Sequence, residues 1–155
     1  MHRLQIAGTP SAVAEARHWL AGVLSSCPPL AAVSDDLTVC LSELVSNSIK
    51  HSRSANGGKI MICVEFKRPR HLPNRSFIEV RVTDEGATTK PRILRKPPWR
   101  RDLTESSRGL FIVRKYSSRW GYTRNNSQTT TWFRFKYKAE KMRGNKNLFW
   151  MIACQ

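Results

Sequence analysis

The chain has 155 residues, 40% of them apolar and 25% charged, a composition that excludes a disordered or fibrous protein. One domain of this size buries about two-thirds of the surface its unfolded chain exposes, enough for a core without disulfide or metal staples. Lysine and arginine number 27 against 11 acids, a net charge of +16, so its partners are expected among anions: nucleotide phosphates, nucleic acid or an acidic protein.

No apolar run approaches the roughly 20 residues of a membrane span. Cys27, Cys40, Cys63 and Cys154 form no CxxC pair and mostly have apolar neighbours, which predicts reduced thiols and a cytoplasmic location. Leu24-Ser25-Ser26-Cys27 has the outline of a lipoprotein cleavage site. Glu15, Arg17 and His18 interrupt the apolar stretch such a signal needs, so export is not expected.

Leu4 and Ile6 alternate with Arg3 and Gln5, the period of a short strand. Thr9-Pro10 reads as the cap and first-turn proline of a helix with Val13, Ala16, Leu20, Val23 and Leu24 on its apolar face, and Cys27-Pro28-Pro29 stops it. Ser34 reads as the cap of a second helix, with Asp35 and Asp36 suiting its positive end. Its stripe is Leu37, Cys40, Leu41, Leu44, Val45 and Ile49, and it ends near His51. Asn56-Gly57-Gly58 is a turn. Residues 59–66 read as a buried strand, 69–74 as a connection, and 77–83 as a half-buried strand paired with the previous one.

Residues 87–107 carry no periodicity and three prolines, with Lys90, Arg92, Arg95, Lys96, Arg100 and Arg101 against Asp102 and Glu105. A loop that long in a compact domain is commonly functional or mobile. Residues 109–117 read as a short apolar helix, and 119–124 and 130–138 as closing strands, with Phe133, Phe135 and Tyr137 on one face. The order predicts an α+β two-layer sandwich over residues 1–137, a mixed or antiparallel sheet backed by about three helices. Residues 138–155 form a basic and apolar tail whose LFWMIA segment packs on the domain, mediates a homodimer or frays.

Three segments can carry chemistry. At about 100° per residue, Asn47 lies about 40° from Glu43 on the second helix and Lys50 about 20° to the other side. A carboxylate, an amide and an ammonium thus share one stripe beside the buried face. Such a carboxylate can accept a proton, an amide oxygen suits magnesium, and a lysine can meet a phosphate. An ordinary solvated flank explains the same residues. Second, Asp84 precedes a turn at a strand end, where it can accept a hydrogen bond from an amino group, and Gly86 lets a ring approach the backbone. A plain turn is the alternative. Third, Ser106-Ser107-Arg108-Gly109 opens the helix that begins at Leu110, where free N–H groups favour phosphate, although a simple serine cap accounts for it nearly as well.

ELVSNSIKHS, VTDEG and SSRGLFIV, in this order, resemble the N, G1 and G2 boxes of the GHKL ATPases, the group of gyrase-type, MutL-type and histidine-kinase ATP-binding domains. The short layout is most similar to the anti-sigma-factor serine kinases and related small bacterial regulators, and Ser118-Arg119-Trp120-Gly121 and Thr130-Thr131-Trp132-Phe133 look like segments of that subfamily. The resemblance implies a Bergerat fold with ATP and magnesium between helices and sheet. It assigns Glu43 as general base, Asn47 as magnesium ligand, Asp84 to the adenine amino group, Gly86 beneath the ring, and Arg108, Gly109 and Leu110 to the phosphate turn. Thr130 would assist at the adenine through water, and Lys50 would contact phosphate. The family's turn reads Gly-x-Gly and this one Ser107-Arg108-Gly109. A left-handed backbone at Ser107 would cost about 1–2 kcal/mol, and about tenfold in nucleotide affinity.

The resemblance therefore implies an ATP-dependent serine/threonine kinase that binds a sigma factor or its antagonist protein. The alternatives are a nucleotide-binding adaptor without useful catalysis and, motivated by Trp99 among arginines, a nucleic-acid module. No helix-turn-helix or RNA-binding signature supports the last, so nucleic acid is not the expected partner.

Overall fold

The structure, a computed structural model, describes residues 1–68, 76–86, 105–125 and 127–137. The 69–74 connection, most of the 87–107 basic segment and the tail lie outside the described residues.

Strand β1 spans His2–Ala7, helix α1 Ala12–Ser25, helix α2 Ser34–His51, β2 Lys59–Lys67, β3 Ser76–Asp84, α3 Glu105–Tyr116, β4 Arg119–Arg124 and β5 Thr129–Tyr137. The strands form one sheet in the order β1-β2-β3-β5-β4, every neighbouring pair antiparallel. The helices cover one face, the two-layer arrangement that the element order predicts. Ala16 and Leu20 of α1, Leu37, Leu41 and Leu44 of α2, and Leu110 and Val113 of α3 pack with Ile60, Ile62, Val80, Val82, Phe133 and Phe135 of the sheet. No described helix is long and apolar enough to cross a membrane.

Three local expectations differ. Helix α1 starts at Ala12 rather than beside Pro10, because Thr9 and Ser11 bond each other at 2.9 Å and the Thr9 carbonyl takes the Ala12 N–H. Pro28–Val33, which has no helical periodicity to read, winds into a 3₁₀ helix leading straight into α2. Ser34 is therefore the first residue of α2 and not its cap, and its hydroxyl donates back to the Ala31 carbonyl.

The other face of the sheet carries no described helix. Its long side chains lie over it instead. Glu79 accepts hydrogen bonds from Lys67, at 2.9 Å, and from Arg134, while Arg81 pairs with both Glu79 and Glu65. The Arg134 guanidinium lies 4.8 Å from the Phe77 ring centre and 4.9 Å from that of Trp132. Burial pushes the Glu79 carboxyl up, but the Lys67 and Arg134 hydrogen bonds outweigh it and hold the group below the ordinary glutamate value.

Candidate functional site

Helix α2 contributes the central side chains. Its buried stripe continues past Val45 to Ser48, which is 5% exposed and on the same face as Leu41 and Leu44. The Ser48 hydroxyl donates to Asp84 Oδ2 at 2.7 Å, which ties α2 to the end of β3. The Gly86 N–H donates to Asp84 Oδ1 at 2.9 Å, and the Thr129 N–H also bonds this carboxylate. Asp84 is thus nearly buried among neutral donors. Burial pushes its carboxyl above the ordinary aspartate value, and the bonds from Ser48, Gly86 and Thr129 with the charge of Arg124 only partly offset this. Gly86 adopts φ +78°, and a side chain there would crowd the Ser127 carbonyl and Arg53.

The Asp84-Glu85-Gly86 turn is also held from behind. The Arg53 N–H donates to the Gly86 carbonyl at 2.8 Å and its Nε to the Glu85 carbonyl at 3.0 Å. The buried Ser54 hydroxyl accepts the Glu85 N–H and donates to the Lys59 carbonyl.

Glu43 and Asn47, half-buried, face the start of α3. A Cβ on Gly109 would fall 2.5 Å from Glu43 Oε2 and 3.3 Å from Asn47 Nδ2, so the absent side chain is what allows α3 to close on α2 there. Burial pushes the Glu43 carboxyl up, against the opposing charge of Lys50, which is itself exposed. Asn47 Nδ2 is buried with no hydrogen-bond partner among the described residues. A buried polar atom left in that state costs about 1–3 kcal/mol, a cost that a ligand or water reaching it would remove.

The structure therefore brings Glu43, Asn47 and Gly109 into one cluster. It joins Asp84 and Gly86 to that cluster through Ser48, the residue after Asn47. Arg108 is exposed beside it. Two expected members do not join as foreseen. Leu110 is 5% exposed and packs in the core. Thr130 stands opposite Thr83, and their hydroxyls bond at 2.8 Å on the open face of the sheet, away from Asp84. The residue opposite Asp84 is Thr129, whose hydroxyl is buried and has no hydrogen-bond partner among the described residues. β5 begins at Thr129, one residue earlier than its apolar pattern suggests, and a slip of one residue exchanges the faces of a strand.

Helix α3 also begins earlier, at Glu105 rather than Leu110. An acid and two serines suit a helix start. The N–H groups that a helix starting at Glu105 leaves free end with that of Ser107, so Gly109 offers close approach and not a free donor. Ser107 lies within helical backbone, and the left-handed strain expected there does not arise. Ser48, missed as a site residue, was readable as the one polar position in the buried stripe of α2.

This donor set fits a nucleotide polyphosphate with a hard cation. The described residues hold no group of three or more acidic, histidine or cysteine side chains able to bind a metal by themselves. Magnesium commonly takes one or two protein oxygens and completes its shell with phosphate and water. A half-turn of the Asn47 amide would present Oδ1 where the unpartnered Nδ2 now lies.

The profile of the histidine kinase-like ATPase domain matches residues 6–135. Among solved structures, the crystal structure of the RsbU and RsbW domains of Rv1364c from Mycobacterium tuberculosis is similar in fold, with a TM-score of 0.63 at 15% sequence identity. That match covers 90% of this chain and 34% of the other, so this chain spans about a third of that structure's length. No curated protein matches the chain.

Proposed function

The chain belongs to the histidine kinase-like ATPase family, and from that premise we propose that residues 1–137 bind ATP with magnesium and phosphorylate a serine or threonine of a protein antagonist, in the manner of an anti-sigma-factor kinase. The observation that carries the reading is the convergence of Glu43, Asn47 and Gly109, with Asp84 tied to the same helix by Ser48. The resemblance of the N, G1 and G2 boxes to the small anti-sigma kinases supports the class of partner, a sigma factor or its antagonist.

When bound, the nucleotide supplies the phosphoryl group and magnesium neutralises its charge. Asp84 offers a carboxylate to the exocyclic amino group of adenine, and Gly86 leaves room against the ring. Asn47 offers an amide oxygen to the ion. Lys50 and Arg108 place positive charge by the phosphates. Glu43 takes the proton from the incoming hydroxyl, and its raised carboxyl value makes it a stronger base than a solvated glutamate.

A second reading is a nucleotide-binding adaptor without turnover. The packing of Gly109 against Glu43 favours it, because α3 then occupies the approach to the base. One experiment separates the two: calorimetric titration with ATP with and without magnesium, followed by phosphoryl transfer to a candidate antagonist by the native protein and Glu43→Ala. Transfer lost in the variant supports the kinase; binding without transfer in either supports the adaptor; no binding removes both.

A further inference from the structure

The stretch 106–137 contains no acidic residue and seven cations. Helix α3 ends at Tyr116 and β4 begins at Arg119, so the last turn of α3, with Arg114, Lys115 and Tyr116, leads into β4, where Arg119 stands opposite Arg134 on the open face and Tyr122 opposite Thr131 on the helix face; all five are exposed. Tyr116 and Tyr122 are 43% and 39% exposed, rare for large side chains among the described residues. The contrast with the open face of the sheet is direct. There Lys67, Arg81 and Arg134 are neutralised by Glu65 and Glu79. Among the described residues no acid pairs with Arg114, Lys115 or Arg119.

Cations in the last turn of α3 complement the helix dipole, which accounts for Arg114 and Lys115. It does not account for Arg119 at the start of β4. That strand is last in the sheet and pairs only with β5 among the described residues, so one row of its backbone donors and acceptors faces outward. An edge that carries these cations resists pairing with its own kind. The same charges favour an acidic strand. Nucleic acid has no backbone ladder to offer a strand edge, whereas an extended peptide does.

We propose that the outer edge of β4, with the end of α3 beside it, is a docking surface for an acidic, extended polypeptide segment that adds as a further strand. Its acids meet Arg119 on the open face, with the charge of Lys115 adding to the attraction, and its apolar side chains face Tyr116 and Tyr122 on the helix side. The surface uses none of the candidate nucleotide-site residues, so it stands or falls apart from the ATP reading.

The test uses the full chain and a fluorescein-labelled peptide of alternating glutamate and valine, read by anisotropy at salt between about 50 and 200 mM. Affinity is expected to fall about tenfold when Lys115→Glu and Arg119→Glu are combined, and to be unchanged in Arg17→Glu on α1. A peptide of equal charge with a central proline is expected to bind as weakly, because it breaks the ladder. Amide resonances of residues 119–124 are expected to shift with the first peptide alone. Absence of binding, indifference to the double variant, or equal binding of the proline peptide overturns the proposal. So does a thymidine oligonucleotide of equal charge that binds more tightly and loses affinity in the double variant, which would make this a nucleic-acid surface.

Discussion

Glu79 and Asp84 lie on the same strand, both buried, on opposite faces of the sheet. Glu79 has Lys67, Arg81 and Arg134 around it and its carboxyl is held down. Asp84 accepts its hydrogen bonds from neutral donors and feels only the charge of Arg124, which does not offset burial, so its carboxyl is pushed up, as is that of Glu43 nearby on α2. The same chemical group is saturated on one face and left short of positive charge on the other. A saturated carboxylate holds structure. An under-compensated one keeps attraction for a proton, an amino group or a cation, which is what a reactive site needs.

The largest effect expected from this contrast is on activity. Glu43→Gln removes the proton acceptor and should slow phosphoryl transfer by about 10²–10⁴-fold with ATP affinity retained, measured in single-turnover assays. The same variant should be more stable than the native protein at neutral pH. The folded-state value of Glu43 is raised, so its stability contribution is full below the unfolded value and is lost as pH rises through the folded one. Urea melts of both proteins across pH 4–8, roughly the range in which raised carboxyls titrate, would show the native curve falling relative to the variant. Parallel curves would remove the contrast.

The second effect is on stability. Glu79→Ala leaves three cations around an empty position and should cost about 2 kcal/mol, less than a fully buried cluster because Lys67, Arg81 and Arg134 are 35, 34 and 30% exposed. ATP binding should be unaltered. The sign with pH is opposite to that of Glu43. A depressed carboxyl contributes above its unfolded value and loses that contribution as pH falls through the folded one, so the acid limb of the native melt should flatten in Glu79→Gln.

A third, smaller effect lies at the joint between α2 and β3. Ser48→Ala removes the 2.7 Å bond to Asp84 and should weaken ATP binding about fivefold, on the order of 1 kcal/mol, with discrimination against GTP reduced. A melting temperature that falls while ATP affinity and base preference stay fixed would show Ser48 to be structural alone.

How much of this was legible depended on whether the signal was local. The apolar stripe of α2 and the alternation in β1 and β3 are periodic within single segments, and the elements formed close to where those patterns predict them. The flank bearing Glu43, Asn47 and Lys50 follows from helix geometry alone. The Glu79 cluster was not legible, because Glu65, Glu79 and Arg134 meet only once β2, β3 and β5 are known to be neighbours. The start of α3 was hidden because serine and arginine next to a glycine read equally as turn or first helical turn. At β5 the run Thr129-Thr130-Thr131 has no alternation to set the phase, so the face of each threonine had to come from the register with β3.

That run supplies the finest test of the two faces. Thr129 stands opposite Asp84 with a buried hydroxyl that has no partner among the described residues, and Thr130 opposite Thr83 with its hydroxyl engaged. Thr129→Val exchanges an unsatisfied hydroxyl for a methyl of similar shape, so the ligand-free protein should hold or gain a few tenths of a kcal/mol while ATP affinity falls severalfold. Thr130→Val breaks the bond to Thr83 and should cost about 0.5–1 kcal/mol of stability with ATP affinity intact. Two neighbouring, chemically identical substitutions are thereby expected to move opposite observables. Urea melts and ATP titrations of both variants decide it, and the reverse assignment, with Thr130→Val weakening ATP and Thr129→Val lowering stability, would mean that β5 is paired one residue out of the register described.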